Sequence, residues 1–67
     1  MKGKQVMNET LSLNGLNTTE IVEHLLLDPY YETVAWGCIA EAVETARKEA
    51  HPTTLGQLHR YITENLI

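Results

Sequence analysis

The sequence predicts an all-α domain of three helices, preceded by a short extended N-terminal arm. Two stretches begin with a helix-capping pattern, at Asn17 and at Thr54. A third and longer stretch, Tyr31–Ala50, contains no proline and repeats its apolar residues at helical spacing. Asp28-Pro29 and His51-Pro52 separate the three stretches, because proline interrupts a helix and restricts the residue before it. The 67 residues are expected to form one domain, residues 1–67.

The N-terminal arm is the least regular part of the sequence. Polar and apolar residues alternate over Thr10–Leu13, which would put Leu11 and Leu13 on one face of an extended segment. Asn14-Gly15 then predicts a turn. We expect residues 1–9, which are mostly polar, to be flexible.

The first helix has the clearest start in the chain. Asn17 is a favourable N-cap, and Glu20 stands three residues later, where its side chain closes a capping box. The helix is predicted from Thr18 to about Leu27. Its apolar stripe consists of Ile21, Val22, Leu25 and Leu26.

The second helix is predicted to begin at Pro29 or Tyr30, with Asp28 as its N-cap and almost no loop before it. On a helical wheel its apolar arc covers about 200°, twice the stripe that a surface helix needs. A helix of this kind must be covered from two sides, which favours a dimer. The arc contains Tyr31, Val34, Ala35, Trp36, Cys38, Ile39, Ala42, Val43 and Ala46.

The third helix is predicted from Leu55 to about Asn65. Thr54 and Gln57 have the spacing of a second capping box. The inner face of this helix would carry Leu55, Leu58, Tyr61 and Ile62.

Charge is distributed unevenly along the chain. The net charge is −4, and the segment from Asn17 to Ala46 has six acidic residues and no Lys or Arg. An acidic body disfavours nucleic acid as a partner. No apolar run approaches the roughly 20 residues that span a membrane, and the first residues lack the apolar region of a signal peptide. The sequence therefore predicts a cytoplasmic protein with no membrane association.

Side chains that carry chemistry are few. His24, His51 and His59 do not have the spacing of a helical metal site. Cys38, the only cysteine, lies mid-helix on the apolar arc, so we expect it to be a buried small hydrophobic residue. No nucleophile motif or phosphate-binding loop is present. The sequence predicts no enzyme activity, no cofactor and no bound metal.

These observations favour a small non-enzymatic module for protein–protein interaction or regulation, most simply a homodimer that also binds another protein. Small acidic chains of this kind resemble prophage and accessory-gene products that modulate host machinery. Aromatic residues are enriched at binding hot spots, and small residues allow close helix approach. The interface candidates are Tyr30, Tyr31, Trp36, Ala40 and Val43.

The alternative hypothesis is a homodimeric DNA-binding repressor or antitoxin. The order of a short strand and two helices is similar to that of ribbon-helix-helix proteins, in which paired strands read bases. Here the outward positions, Thr10, Ser12 and Asn14, carry hydroxyl and amide groups in place of Arg or Lys. The second and third helices could instead form a helix-turn-helix, with His59 and Arg60 exposed on the recognition helix.

Overall fold

A computed structural model describes residues 7–67 of the chain. Its elements are α1 (Thr18–Leu25), a 3-10 turn (Pro29–Tyr31), α2 (Trp36–Glu49), α3 (Leu55–Tyr61) and a π-helical turn (Ile62–Leu66). Within the described residues no strand forms, and the β-type pairing consists of one isolated bridge. The predicted all-α class, the three helices and the long central second helix are confirmed.

The first helix starts where its capping residues predict. The Glu20 backbone N–H donates to Asn17 Oδ1 at 2.8 Å, and the Asn17 N–H donates to Glu20 Oε1 at 3.0 Å. The helix ends at Leu25, two residues earlier than expected. The Asp28 N–H bonds to the Leu25 carbonyl at 2.9 Å and tightens the chain into a turn. Leu26, which was predicted on the buried stripe, therefore follows the helix end and is 43% exposed.

The start of α2 was predicted wrongly. Asp28 does act as a cap, and its Oδ1 accepts from the Tyr30 N–H at 2.8 Å, but the turn that follows contains only three residues. The α-helix begins at Trp36, with Ala35 as an N-cap that supplies no side-chain bond. Aromatic and β-branched residues, which are weaker helix formers, fill much of the intervening segment. Burial of Tyr31, which is fully enclosed, competes with helix continuation there.

One face of α2 is buried, and it is narrower than the predicted arc. Ile39, Ala42, Val43 and Ala46 are the buried residues of this helix. At 100° per residue they cover about 100°, the width of an ordinary amphipathic stripe. Cys38 is exposed, contrary to expectation. The inference that α2 is covered from two sides is wrong for the single chain, because Cys38 and Trp36, towards the two edges of the arc, are exposed.

The third helix begins at its predicted cap, but its α-helical part ends at Tyr61, four residues before the predicted end. The Gln57 N–H donates to Thr54 Oγ1 at 3.3 Å, while Gln57 Oε1 accepts from the Thr53 N–H at 3.0 Å. In a complete capping box the Gln57 side chain would accept from the N–H of the cap residue, Thr54. Here it accepts from the N–H of Thr53, one residue earlier. The π-helical turn extends the helix to Leu66, with the Ile67 N–H bonded to the Ile62 carbonyl at 2.9 Å.

The extended arm pairs with the segment that begins α3. The Leu13 N–H donates to the Thr53 carbonyl at 3.0 Å, and the Leu55 N–H donates to the Leu11 carbonyl at 2.9 Å. Ser12 and Thr54 form the antiparallel bridge between these two bonds. The arm then turns at Gly15, whose φ of 86° is the left-handed conformation that glycine adopts without strain.

The prediction that residues 1–9 are flexible can be compared with the structure only for residues 7–9. Residues 1–6 lie outside the described part of the chain. Met7 is instead packed, with 4% of its surface exposed, and the Glu9 carbonyl accepts a bond from the Gly56 N–H at 2.9 Å. The ordered arm thus begins earlier than its polar composition indicates, because Met7 enters the core and the Glu9 backbone pairs with α3.

The core draws apolar side chains from every element. Among residues 7–67, the Tyr31 hydroxyl is the one polar group on a buried side chain, and no charged side chain is buried. The arm contributes Met7 and Leu13, α1 contributes three residues, and the 3-10 turn contributes Tyr31. The remaining core residues come from α2, α3 and the π-helical turn: Ile39, Ala42, Val43, Ala46, Leu55, Leu58 and Ile62.

Candidate functional site

The large apolar side chains that stay exposed form the most distinctive surface feature of the described residues. Each of the five exposes between 41% and 46% of its surface. Scattered single apolar residues are ordinary on a protein surface, whereas a group of them at one place marks a binding site. We call this set the apolar end; it consists of Leu26, Leu27, Tyr30, Trp36 and Ile67.

The packing of α1 against α2 brings four of these residues to one end of the molecule. Thr18 Oγ1 donates to Glu44 Oε2 at 3.4 Å, and Arg47 Nη1 donates to the Leu16 carbonyl at 3.0 Å. The start of α1 therefore lies beside the last turns of α2, and the two helices are antiparallel. The residues that follow α1 and the residue that begins α2 share the opposite end.

The fifth residue, Ile67, belongs to the C-terminal segment, which runs alongside α2 in the opposite direction. The Tyr61 hydroxyl donates to Glu49 Oε1 at 2.8 Å, at the last residue of α2. Ile67, six residues later, lines the same surface groove as Val34, which stands just before α2. The Tyr30 hydroxyl donates to the Ile67 carbonyl at 3.4 Å and joins the two segments directly.

Tyr30 is held in position by aromatic contacts. Its ring lies edge-on to Tyr31, with centroids 5.2 Å apart, and edge-on to His59, with centroids 5.7 Å apart. Such edge-to-face pairs contribute about 0.5–1.5 kcal/mol beyond the area they bury. The exposed half of Tyr30 therefore belongs to a fixed surface.

Behind Tyr30, a buried phenol faces an imidazole. The Tyr31 hydroxyl lies 2.7 Å from His59 Nδ1, and this is a bond that the hydroxyl donates when Nδ1 is unprotonated. Burial, and then the negative charge of Asp28, raises the pKa of Tyr31 above its usual value. A phenol of this kind stays protonated at neutral pH, and its position in the core gives it a structural role.

A groove of about 460 Å3 runs beside the apolar end, between α2 and the C-terminal segment. We call it the α2–C-terminal groove. Ala42, a buried residue, contributes to its floor, and Cys38 is exposed within it. Its apolar lining consists of Val34, Cys38, Ala42, Leu66 and Ile67, and Glu41 and Thr45 add polar groups. Ile67 belongs both to the groove and to the apolar end.

Acidic residues accompany these surfaces. Asp28 and Glu32 flank Tyr30 in the sequence, Glu23 lies one turn before Leu26 and Leu27, and Glu41 lines the groove. Arg47 and Lys48 lie in the last turn of α2, away from the apolar end. The connection before α2 thus contains acids and no Lys or Arg, whereas the last turns of α2 carry Arg47 and Lys48 together with Glu44 and Glu49.

The predicted interface residues divide into two groups. Tyr30 and Trp36 belong to the apolar end, and Ala40 is half-buried against the core. Tyr31 and Val43 are fully buried within the chain, so they cannot contact a partner. Tyr31 lies outside α2, in the 3-10 turn, and Val43 faces the core.

The predicted DNA contacts lie along the arm. Thr10 and Arg60 line one groove, while Ser12 and Asn14 line another together with Arg47. His59, which was expected to be exposed, is half-buried and contacts Tyr31. The arm side chains therefore lie between two arginines, one of which, Arg47, was not among the candidates.

Sequence reasoning missed three residues of the apolar end: Leu26, Leu27 and Ile67. A signal for the first two was present, because three consecutive leucines on a short helix cannot all face the same core. Leu25 takes the buried position, and the next two side chains are left at the surface. Nothing local distinguishes Ile67, whose exposure follows from the path of the C-terminal segment.

Neither a metal site nor a membrane-spanning helix is found among residues 7–67. No three His, Cys, Asp or Glu side chains there are grouped to hold an ion, and none of these helices has the length and apolar character to cross a bilayer. Comparison of the chain with protein-family models, with curated proteins and with solved structures finds no match.

Proposed function

We propose that the chain is a small, non-enzymatic protein-binding module with a regulatory role, and that it engages its partner through the apolar end. The observation that supports this proposal is that four of the five exposed large apolar side chains of residues 7–67 lie between Leu26 and Trp36, while the fifth, Ile67, accepts a bond from Tyr30. Together they expose on the order of several hundred Å2 of apolar surface, the size of patch that is often functional on a monomer. Tyr30 and Trp36 are residue types enriched at binding hot spots.

The partner in this proposal is either a second copy of the chain or a different protein. A dimer is favoured by the short chain, because small domains bury a small fraction of their surface and gain stability from association. Sedimentation equilibrium at micromolar concentration tests the homodimer. A monomeric mass would leave a different protein as the partner.

The proposal is tested by comparing two variants of equal charge. Leu27→Lys places a charge in the apolar end, whereas Ala50→Lys places the same charge at the other end of α2, where a cation is favourable. Both residues are exposed, so both variants should fold with melting temperatures near that of the wild type.

Each variant is immobilised, and the proteins it captures from the source cell are quantified by mass spectrometry. We expect Ala50→Lys to retain the wild-type partners and Leu27→Lys to lose them. If the two folded variants capture the same proteins to the same extent, the apolar end is not the binding surface and the proposal fails.

DNA binding is the second candidate, and it is favoured by the position of the arm between Arg47 and Arg60. Ser12, Asn14 and Thr10 could donate to phosphate oxygens there, with the arginines as the charged contacts. A gel-shift assay at low salt tests it, because phosphate attraction is strongest under that condition. Binding by the wild type that Arg60→Gln weakens would support DNA binding, and no shift at low salt would exclude it.

A further inference from the structure

We propose that the α2–C-terminal groove binds a basic amphipathic helix of another protein. The apolar face of that helix would enter the groove, and its Lys or Arg side chains would face Glu41 and the acids beside the apolar end. This inference rests on the proposed function and adds to it the chemical class of the partner and the place where it docks.

The groove has the size and length of a helix-docking site. Its 460 Å3 is open along α2, with Cys38 and Thr45 in its lining and Ala42 between them. Seven residues of α helix rise about 10.5 Å. A docked helix that presents anchors at i, i+4 and i+7 covers the same distance, which is the usual pattern of helix-in-groove recognition.

The groove is continuous with the apolar end, so one partner helix can contact both. Ile67 lines the groove and also belongs to the exposed apolar set. Tyr30, bonded through its hydroxyl to the Ile67 carbonyl, extends the apolar surface beyond the groove. A helix longer than two turns would leave the groove over Ile67 and contact the Tyr30 ring.

Charge selects a basic partner over a second copy of this chain. From Asn17 to Ala46 the sequence has six acidic residues and no Lys or Arg. The groove is lined by one acid, Glu41, and no base, so a symmetric dimer through the groove would bring Glu41 of both copies into one interface. Like charges facing each other oppose association, whereas a basic partner is attracted and oriented by the same acids.

Cys38 supplies the measurement, because it is the only cysteine of the chain and lies exposed within the groove. The rate of its alkylation by iodoacetamide is followed by intact mass, with and without a helical peptide. The probe peptide carries leucines at i, i+4 and i+7 and lysines elsewhere. A second peptide has glutamate at every lysine position. A third has the composition of the first but scatters its leucines around the helix.

We expect the lysine peptide to slow alkylation of Cys38 by about tenfold at saturation, and the other two peptides to leave it unchanged. The protection should weaken as salt is raised, since exposed charges are screened. Protection by the glutamate peptide equal to that by the lysine peptide would overturn the inference, and so would the absence of protection by any peptide.

Two charge reversals serve as matched variants. Glu41→Lys changes a residue of the groove, whereas Glu44→Lys makes the same change on the side of α2 that faces Thr18. We expect Glu41→Lys to abolish protection by the lysine peptide and Glu44→Lys to retain most of it. The ratio of rates with and without peptide is compared within each variant, because a nearby lysine also alters thiol reactivity.

Failure of this inference can be distinguished from failure of the proposed function. If Cys38 becomes protected as the chain itself is concentrated, with a dimeric mass, a second copy occupies the groove and the basic-helix inference is wrong. If removal of residues 1–6 raises the alkylation rate, those residues cover Cys38 and the inference is also wrong. Neither result changes the expected difference in capture between Leu27→Lys and Ala50→Lys.

Discussion

Tyr31 shows how one side chain redirects the local backbone. Its ring is fully buried, and its hydroxyl reaches His59 Nδ1, 28 residues away, at 2.7 Å. The pKa of this hydroxyl is raised, first by burial and then by the negative charge of Asp28. The residue thus connects the segment between α1 and α2 to α3, and its ionisation is coupled to folding.

We predict that the wild type loses stability in alkali through Tyr31. Above the ordinary tyrosine pKa of about 10, the unfolded chain releases this proton and the folded chain keeps it. The free energy of unfolding then falls with pH, by up to about 1.4 kcal/mol per pH unit for one group. Tyr31→Phe should lower the free energy of unfolding by about 1 kcal/mol at neutral pH, because its hydrogen bond is lost. Above pH 10 the free energy of unfolding of this variant should fall less steeply than that of the wild type.

Urea unfolding at intervals between pH 8 and pH 11 measures both effects. Tyr30→Phe is the matched control, because it retains the buried Tyr31 hydroxyl and should keep the wild-type alkaline slope. A slope in Tyr31→Phe equal to that of the wild type would show that Tyr31 ionises as readily in the folded chain as in the unfolded one.

At the scale of single residues, the helix caps were predictable and burial at the edges of the α2 arc was not. Asn17 and Glu20 form a complete box because their partners are three residues away. Cys38 and Val43 lie on the same predicted arc, yet one is exposed and the other is buried. Their difference depends on how far neighbouring helices reach, which is tertiary information.

Among the elements, the arm depends on a glycine at the start of α3. A Cβ placed on Gly56 would lie 2.9 Å from the Glu9 carbonyl oxygen, and that oxygen also accepts the Gly56 N–H. A side chain cannot fit there unless the arm moves. The pairing of the arm with α3 therefore requires glycine at position 56, because a Cβ atom there would clash with the Glu9 backbone.

We predict opposite effects for two glycine-to-alanine variants. Gly56→Ala should lower the free energy of unfolding by about 1–2 kcal/mol, because the clash with the Glu9 backbone outweighs the gain in helix propensity. Gly37→Ala, whose Cβ meets nothing within 4 Å, should raise it by up to about 1 kcal/mol. Chemical denaturation measures both values. A Gly56→Ala variant as stable as Gly37→Ala would show that the arm is not packed against α3.

The boundaries of helices were predicted correctly where a hydrogen bond between residues close in sequence determines them. Thr54 caps α3 as predicted, and Asn17 caps α1. The start of α2 was misplaced by about six residues, because Asp28-Pro29 initiates a 3-10 turn as readily as an α-helix. The arm was predicted as extended, but its partner, the segment Thr53–Gly56, could not be inferred because their pairing spans about 40 residues.

Across residues 7–67, the connection before α2 exposes apolar and acidic side chains, whereas the last turns of α2 carry charges of both signs. Leu26, Leu27, Tyr30 and Trp36 lie in or beside the connection between α1 and α2, and the path of the C-terminal segment brings Ile67 to Tyr30. The all-α class was predictable from periodicity and caps, whereas the candidate binding surface emerges only from the packing.

Trp36, the only tryptophan of the chain, reports directly on the apolar end. Its fluorescence is measured with acrylamide as the quencher, at concentrations where the chain is monomeric, and the urea-unfolded chain sets the limit of full exposure. We predict a red-shifted emission that acrylamide quenches readily, and a clear loss of quenching when the captured partner is added. A blue-shifted emission that resists quenching in the folded monomer would contradict the exposed apolar end, and with it the proposed binding surface.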